Sequence, residues 1–237
     1  MAESSYKTHL LPHNPNPSLV QSFSLLNRDA LRMLPRLLLY QRHESEWTQE
    51  DWASLARDKS RFNFVCVKKS TTEGATSLEE GKWIGMCSFT GPLSQQDYDG
   101  LGSRGEDDPL LGADSEETRW YGHRLFLRAA DRNMEAMSSL HHTSTNFLRE
   151  FTRELLGDEN GTISGRDKKM AARIHGITFA PDLEGFYGAL GARETGRATL
   201  VEDLRCRGSL PYVPKELLCE EDYSERSIKV YEYLLDC

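Results

Sequence analysis

Gly185-Phe186-Tyr187-Gly188-Ala189-Leu190-Gly191-Ala192 sets a phenol and a glycine-punctuated turn just after a strand with a polar face. Upstream, Arg173-Ile174-His175-Gly176-Ile177-Thr178-Phe179 is a β-rich run, and Ala180-Pro181-Asp182 reads as strand end, turn and helix start. The short helix that follows stops at Gly191. Tyr187 is therefore the first candidate for chemistry, the alternative being simple packing of its ring with Phe186.

Outward from this stretch, Arg119 to Arg128 is the strongest strand, with Tyr121, His123, Leu125 and Leu127 on one face and Trp120, Gly122, Arg124 and Phe126 on the other. A helix follows from about Met134 to Leu155, with Met137, Leu140, Phe147, Leu148, Phe151 and Leu155 on a broad apolar stripe. Strand, helix and the strand through Ile174 make a crossover, which implies a parallel pair in the sheet. Arg61 to Lys68 and Lys82 to Thr90, joined by the polar loop Ser70 to Gly81 and ended by Gly91-Pro92, read as an antiparallel pair. Before them, Thr48 caps a helix through Trp52 and Leu55, with Asp51 in the capping-box position.

The ends are read as follows. Residues 1–19 form an extended arm, Pro-rich from Leu11 to Pro17, and Val20 to Leu26 forms a first strand. A helix starts near Asn27 and carries Leu31, Leu34, Leu38 and Gln41, with Pro35 marking a kink or an early boundary. The Gly-, Asp-, Glu- and Ser-rich stretch 93–117 is expected to be a mobile loop, either a lid or a solvated surface insertion. Glu194 to Val201 supplies a strand and Leu204 to Val213 another. The tail 214–237 ends with Ile228, Tyr231, Leu234 and Leu235 at helical spacing, which predicts a closing helix. The result is one α/β domain over 20–213 with a mixed central sheet flanked by helices.

A chain of 237 residues with 28% charged residues and a net charge of -8 disfavours a nucleic-acid surface. The start Met1-Ala2-Glu3-Ser4-Ser5-Tyr6-Lys7 has no secretory pattern, and no apolar run is long enough to span a bilayer, so a cytoplasmic protein without membrane contact is expected. Five dispersed cysteines, Cys66, Cys87, Cys206, Cys219 and Cys237, indicate neither a disulfide framework nor a zinc site, and Cys66 and Cys87 read as buried thiols. Asn160-Gly161-Thr162 reads as a turn. His141-His142 has no third ligand at suitable spacing.

The order of elements, and the run Phe186-Tyr187 followed by Leu190-Gly191-Ala192, resembles the GNAT superfamily of acyl-CoA-dependent N-acetyltransferases. In that family the matching tyrosine protonates the departing thiolate of coenzyme A. A strand end followed by a pattern of basic residue, two spacers, glycine, spacer and glycine or alanine wraps the cofactor's pyrophosphate at a helix N-terminus, where free amides and the helix dipole favour anions. Aligned on Leu125-Phe126-Leu127, the motif's basic position falls on Arg132, and its glycine positions fall on Glu135 and Met137. The resemblance thus implies that Leu125, Leu127, Arg132, Asn133, Met134 and Ala136 hold acetyl-CoA, the acyl donor.

Glu135 is the departure that matters. An inward carboxylate would repel a diphosphate by about 4 kcal/mol at ~4 Å in an effective dielectric of ~20. Either it points away or the site does not hold coenzyme A normally, and Asp131 or Asn133 as N-cap with Glu135 in the first turn would make a helix start needing no ligand. For the base, His123 and then His175 are the candidates, since an imidazole with an ordinary pKa of about 6.5 accepts a proton through water. Together these readings imply acyl transfer to a small-molecule amine. A GNAT-like module that only binds or regulates, or an enzyme of altered chemistry in the same cleft, remains open.

Overall fold

The computed structural model describes residues 5–32, 47–69, 77–99, 110–157, 170–178, 185, 187–189, 191–199, 201 and 228–237. Several expectations fall outside these residues: the stripe Leu34, Pro35, Leu38 and Gln41, the tip of the 93–117 insertion, the turn at Asn160, Pro181 and Asp182, Phe186, Leu190, the strand at Leu204 to Val213, and Cys206 and Cys219.

The strands are β1 (Tyr6–Leu10), β2 (Arg61–Lys68), β3 (Lys82–Thr90), β4 (Glu117–Leu127), β5 (Ala171–Thr178), β6 (Arg193–Ala198) and β7 (Ile228–Asp236). The helices are α1 (Pro17–Arg32), α2 (Gln49–Arg57), α3 (Gln95–Asp99) and α4 (Met134–Leu156). One mixed seven-stranded sheet runs in the order β1-β2-β3-β4-β5-β7-β6. β4 and β5 pair in parallel, from Glu117↔Ala171 to Gly122↔Gly176. The chain forms two compact units, Met1–Phe89 with Arg124–Ser144 and Thr90–His123 with Thr145–Cys237. Among the described residues, no helix is long and apolar enough to cross a membrane.

In the first unit the apolar sides of α1 and α2 cover the sheet. Phe23, Leu26, Trp52, Val65, Val67, Trp83, Met86 and Phe126 form one buried cluster there. The opposite face carries Cys66, whose thiol approaches the carbonyl of Ala136 in α4. Burial pushes the Cys66 thiol up to about 11 and the Cys87 thiol up to about 12, so both are inert packing groups, as the sequence indicated. The Thr48 capping box is present in full: Thr48 Oγ1 accepts from Asp51 N–H at 3.3 Å and Asp51 Oδ2 accepts from Thr48 N–H at 2.7 Å. At Gly85 the neighbouring backbone comes so close that a Cβ would meet the Phe126 carbonyl at 2.7 Å and the Leu127 side chain as well.

Three assignments near the ends are corrected. The expected extended arm contains β1, paired antiparallel with β2 from Tyr6↔Lys68 to Leu10↔Phe64. The expected strand at Val20 to Leu26 lies inside α1, because Asn16 accepts the Leu19 N–H at 2.9 Å as a cap, Pro17 fits the first helical position, and Leu19, Val20, Phe23 and Leu26 share one buried face. The expected closing helix of the tail is β7, which lies between β5 and β6 and bonds both. Val230, Tyr231, Glu232 and Leu235 are buried there, so the helical spacing of the apolar residues was overruled by two flanking strands.

In the second unit Trp120 packs edge-on against Phe151 of α4, and the hydroxyls of Thr118 and Thr152 meet at 2.5 Å. The described parts of the 93–117 insertion are held by the sheet rather than loose. Tyr98 is buried on Tyr121, with Leu93 and Leu111 beside it. Arg119 and Arg173 take the carbonyls of Gly112 and Leu110, respectively.

β4 carries one backbone irregularity. Arg124 has φ 58°, a left-handed conformation that costs a side-chain-bearing residue about 1–2 kcal/mol. Its guanidinium lies over Trp52 of α2, and Phe126, two residues on, joins the cluster of α1 and α2.

Candidate functional site

In the first unit, β4 leads through a short 3-10 turn, Ala129–Asp131, into the N-terminus of α4. Asn133 is the cap: its Oδ1 accepts from Ala136 N–H at 2.9 Å, and its Nδ2 donates to the Tyr6 hydroxyl at 2.8 Å. Asp131 is not the cap. Its buried carboxylate accepts from Lys68 at 2.9 Å and from Lys82 at 3.5 Å. The Lys68 hydrogen bond, opposed by burial and aided by the charge of Lys82, holds the Asp131 carboxyl below the usual carboxylate range.

Arg132, Asn133, Met134 and Glu135 are exposed at this helix end, whereas Ala136 and Leu127 are buried and Leu125 is half-buried. The structure therefore gathers the proposed coenzyme A residues along one stretch of strand, turn and helix start. Glu135 Oε1 accepts from the Ser5 N–H at 2.8 Å, so the main chain ahead of β1 engages the carboxylate that stands where the motif has glycine. Lys68, Lys82 and Arg132 against Asp131 and Glu135 leave this end cationic, and the α4 N-terminus adds its own positive pole. Ala136 N–H is taken by Asn133, so of the expected residues Arg132 and the main chain of Asn133–Glu135 are the groups that could hold a diphosphate here.

In the second unit, His123 is buried, and its Nε2 lies 3.0 Å from Thr90 Oγ1. The imidazole stacks on Tyr121, with centroids 5.6 Å apart and planes 17° apart. His175 lies on the other neighbour position of the same tyrosine, at 5.7 Å, and meets Tyr98 edge-on at 5.8 Å. The two histidines that sequence singled out are thus brought to one ring.

Beneath them is a set of buried charges. Arg173 donates to both oxygens of Glu117 at 2.8 Å and is paired with Glu232, which also accepts from the Tyr98 hydroxyl at 2.9 Å. Burial works against the Arg173 charge, but Glu117 and Glu232 outweigh it and raise its pKa above the ordinary guanidinium value. Arg119, fully buried, pairs with Glu117 at 3.1 Å and with Asp114 at 2.5 Å. Charged residues inside otherwise apolar strands were the signal for this network in the sequence.

Tyr187 belongs to one helical turn and is half-buried. Its ring stacks on Tyr231 of β7 at 5.1 Å, with 12° between planes. The turn closes as a Schellman motif: Ala192 N–H donates to Tyr187 O at 2.9 Å, Gly191 N–H donates to Gly188 O at 3.0 Å, and Gly191 takes φ 76°. The predicted stop at Gly191 is therefore present, and the position of Tyr187 is fixed from both sides. Tyr231 and Thr90 were not foreseen, since each meets a partner far away in sequence.

No protein-family profile matches the chain, and no curated protein matches it. Among solved structures, a putative acetyltransferase from Acinetobacter baylyi ADP1 covers 100% of this chain and 95% of its own, at 9% identity and a TM-score of 0.52. NAA60 of Arabidopsis thaliana in complex with acetyl-CoA covers 98% of both chains at 10% identity and a TM-score of 0.48. The ribosomal-protein-S5-alanine acetyltransferase from Vibrio fischeri covers 98% of this chain and 94% of its own, at 10% identity and a TM-score of 0.46. The fold of this chain is the GNAT fold, in a divergent form.

Proposed function

We propose that this chain transfers an acyl group from acyl-CoA, acetyl-CoA in the first instance, to the amine of a small molecule. The observation that carries the reading is the run from β4 into α4. The strand's parallel pairing to β5 ends at Gly122, a left-handed residue follows at 124, and a 23-residue helix then presents Arg132, Asn133, Met134 and Glu135 to solvent at its positive end.

In this scheme Arg132 and the main chain of Asn133–Glu135 hold the diphosphate, and the main chain at Leu125 and Leu127 lies along the acyl-bearing arm. His123 takes the proton that the ammonium must lose. The amine nitrogen then bonds to the thioester carbon, the C–S bond breaks, and Tyr187 gives the departing sulfur its phenolic proton. The nitrogen's remaining surplus proton returns to the tyrosinate, so each turnover releases one amide, one thiol and one proton.

Two measurements test this. Isothermal titration with acetyl-CoA should show binding, and mass spectrometry of mixed amines incubated with the protein should show acetylated product. Tyr187→Phe should then lower kcat by roughly 100-fold or more with folding intact. Unchanged turnover in Tyr187→Phe removes the tyrosine from the mechanism.

A second reading is a GNAT-fold module that binds without transferring, favoured by the engagement of Ala136 N–H with Asn133 and by Glu135 at a glycine position. Binding of acetyl-CoA without any product from a broad amine panel supports it.

A further inference from the structure

Arg124 is the one non-glycine residue at positive φ among the described residues, and its neighbours account for how an arginine is kept there. Its Nη1 donates to Asn27 Oδ1 at 2.7 Å, and its guanidinium lies 5.8 Å from the Trp52 ring centroid in a cation–π contact. Asn27 is 1% exposed in the interior of α1, where an amide is a poor choice for packing. Its Nδ2 donates to the Phe23 carbonyl at 2.8 Å, which turns its oxygen toward the arginine. Trp52 is fully buried and set edge-on against Phe23. Two residues further along α1, Asp29 holds Arg128, the residue just past β4, at 2.7 Å. Side chains of α1 and α2 thus converge on the irregular end of β4.

We propose that Asn27 and Trp52 are positioning residues. They clamp the Arg124 side chain, the clamp keeps residue 124 left-handed, and that conformation aims the peptide groups of β4 that receive the acyl carbonyl. The last step rests on the acyl-transfer reading. The ladder to β5 runs only to Gly122, although β4 continues to Leu127, so the direction of the later peptide groups is not set by the parallel ladder. β3 flanks the other edge of β4, and along that stretch Arg124 is the residue whose backbone departs from the strand and whose side chain is held from α1 and α2.

The test compares Asn27→Leu, which keeps bulk and removes the acceptor, with Asn27→Asp, which keeps the acceptor. Each is made in the natural sequence and in an Arg124→Gly background, because glycine enters the left-handed region without help. The backbone at 124 is read from its HN–Hα coupling and carbon shifts, and kcat and KM from steady-state acetyl transfer. In Asn27→Leu the coupling at 124 should move and kcat should fall by about 10- to 100-fold while KM for acetyl-CoA holds. Asn27→Asp should retain both, and in the Arg124→Gly background Asn27→Leu should have no further effect on kcat.

An unmoved coupling in Asn27→Leu overturns the clamp, and a moved coupling with unchanged kcat overturns its role in transfer. Should the leucine variant not fold, Asn27→Ala removes the same acceptor and is read the same way. Absence of turnover in the unsubstituted protein would instead sink the acyl-transfer reading, and the coupling would still decide the clamp.

Discussion

At the scale of single residues, Asp131 shows how one carboxylate can settle a helix start. It is 3% exposed and bridges Lys68 of β2 and Lys82 of β3, so it joins two strands to the turn before α4. Its folded-state pKa is depressed, chiefly by the Lys68 hydrogen bond. Its contribution is therefore present above the ordinary carboxylate pKa of about 4 and is lost as pH falls through the lower folded value. Asp131→Asn should cost about 1–3 kcal/mol near neutrality and flatten the acid side of the stability curve, measured by urea unfolding between neutral and acid pH. An acid limb as steep as in the natural protein would count against this role. The sequence offered Asp131 and Asn133 equally as caps. Nothing local could separate them, because what removes Asp131 from the choice is a pair of lysines far back in the chain. The helical turn at Tyr187 and its stop at Gly191, by contrast, were legible from neighbouring residues, whereas the stacking partner Tyr231 was hidden.

At the scale of elements, the turn after Tyr187 is closed by two backbone hydrogen bonds that require Gly191 at φ 76°. Gly191→Ala should weaken that closure by about 1 kcal/mol, seen as roughly fivefold faster amide exchange at residues 191 and 192. If exchange is unchanged, the turn does not depend on the glycine. Elements whose ends are marked by short-range chemistry were readable: β2 and β3 by β-branched and aromatic runs, α2 by Thr48 and Asp51, α4 by its long apolar stripe. The misread segments are those that local pattern leaves open. Leu19 to Leu26 is apolar enough for either a strand or a helix, and the cap at Asn16 decides for the helix. Ile228 to Leu235 fits helical spacing, but β5 and β6 supply hydrogen-bonding edges on both sides.

At the scale of the whole molecule, the net charge of -8 is a matter of solubility, yet some charged residues are interior and cancel one another. Glu117, Arg119, Arg173 and Glu232 are all buried and share one network with Tyr98. Removing one member strands a charge without water, so Glu232→Leu should cost about 3–5 kcal/mol in thermal or urea unfolding. Glu116→Ala, next to the network but on the surface, should fall within about 0.5 kcal/mol of the natural protein. Equal effects for the two would show that the buried charges are not coupled as the distances indicate. The place of β7 has a consequence for synthesis. Because Arg193–Ala198 pairs with Ile228–Asp236, a chain still emerging from the ribosome cannot form the β6–β7 pairing until β7 has been made. Arg173 must wait equally long for its second carboxylate, so a nascent chain halted before residue 228 would expose that guanidinium and an unzipped sheet margin, a form suited to chaperone capture.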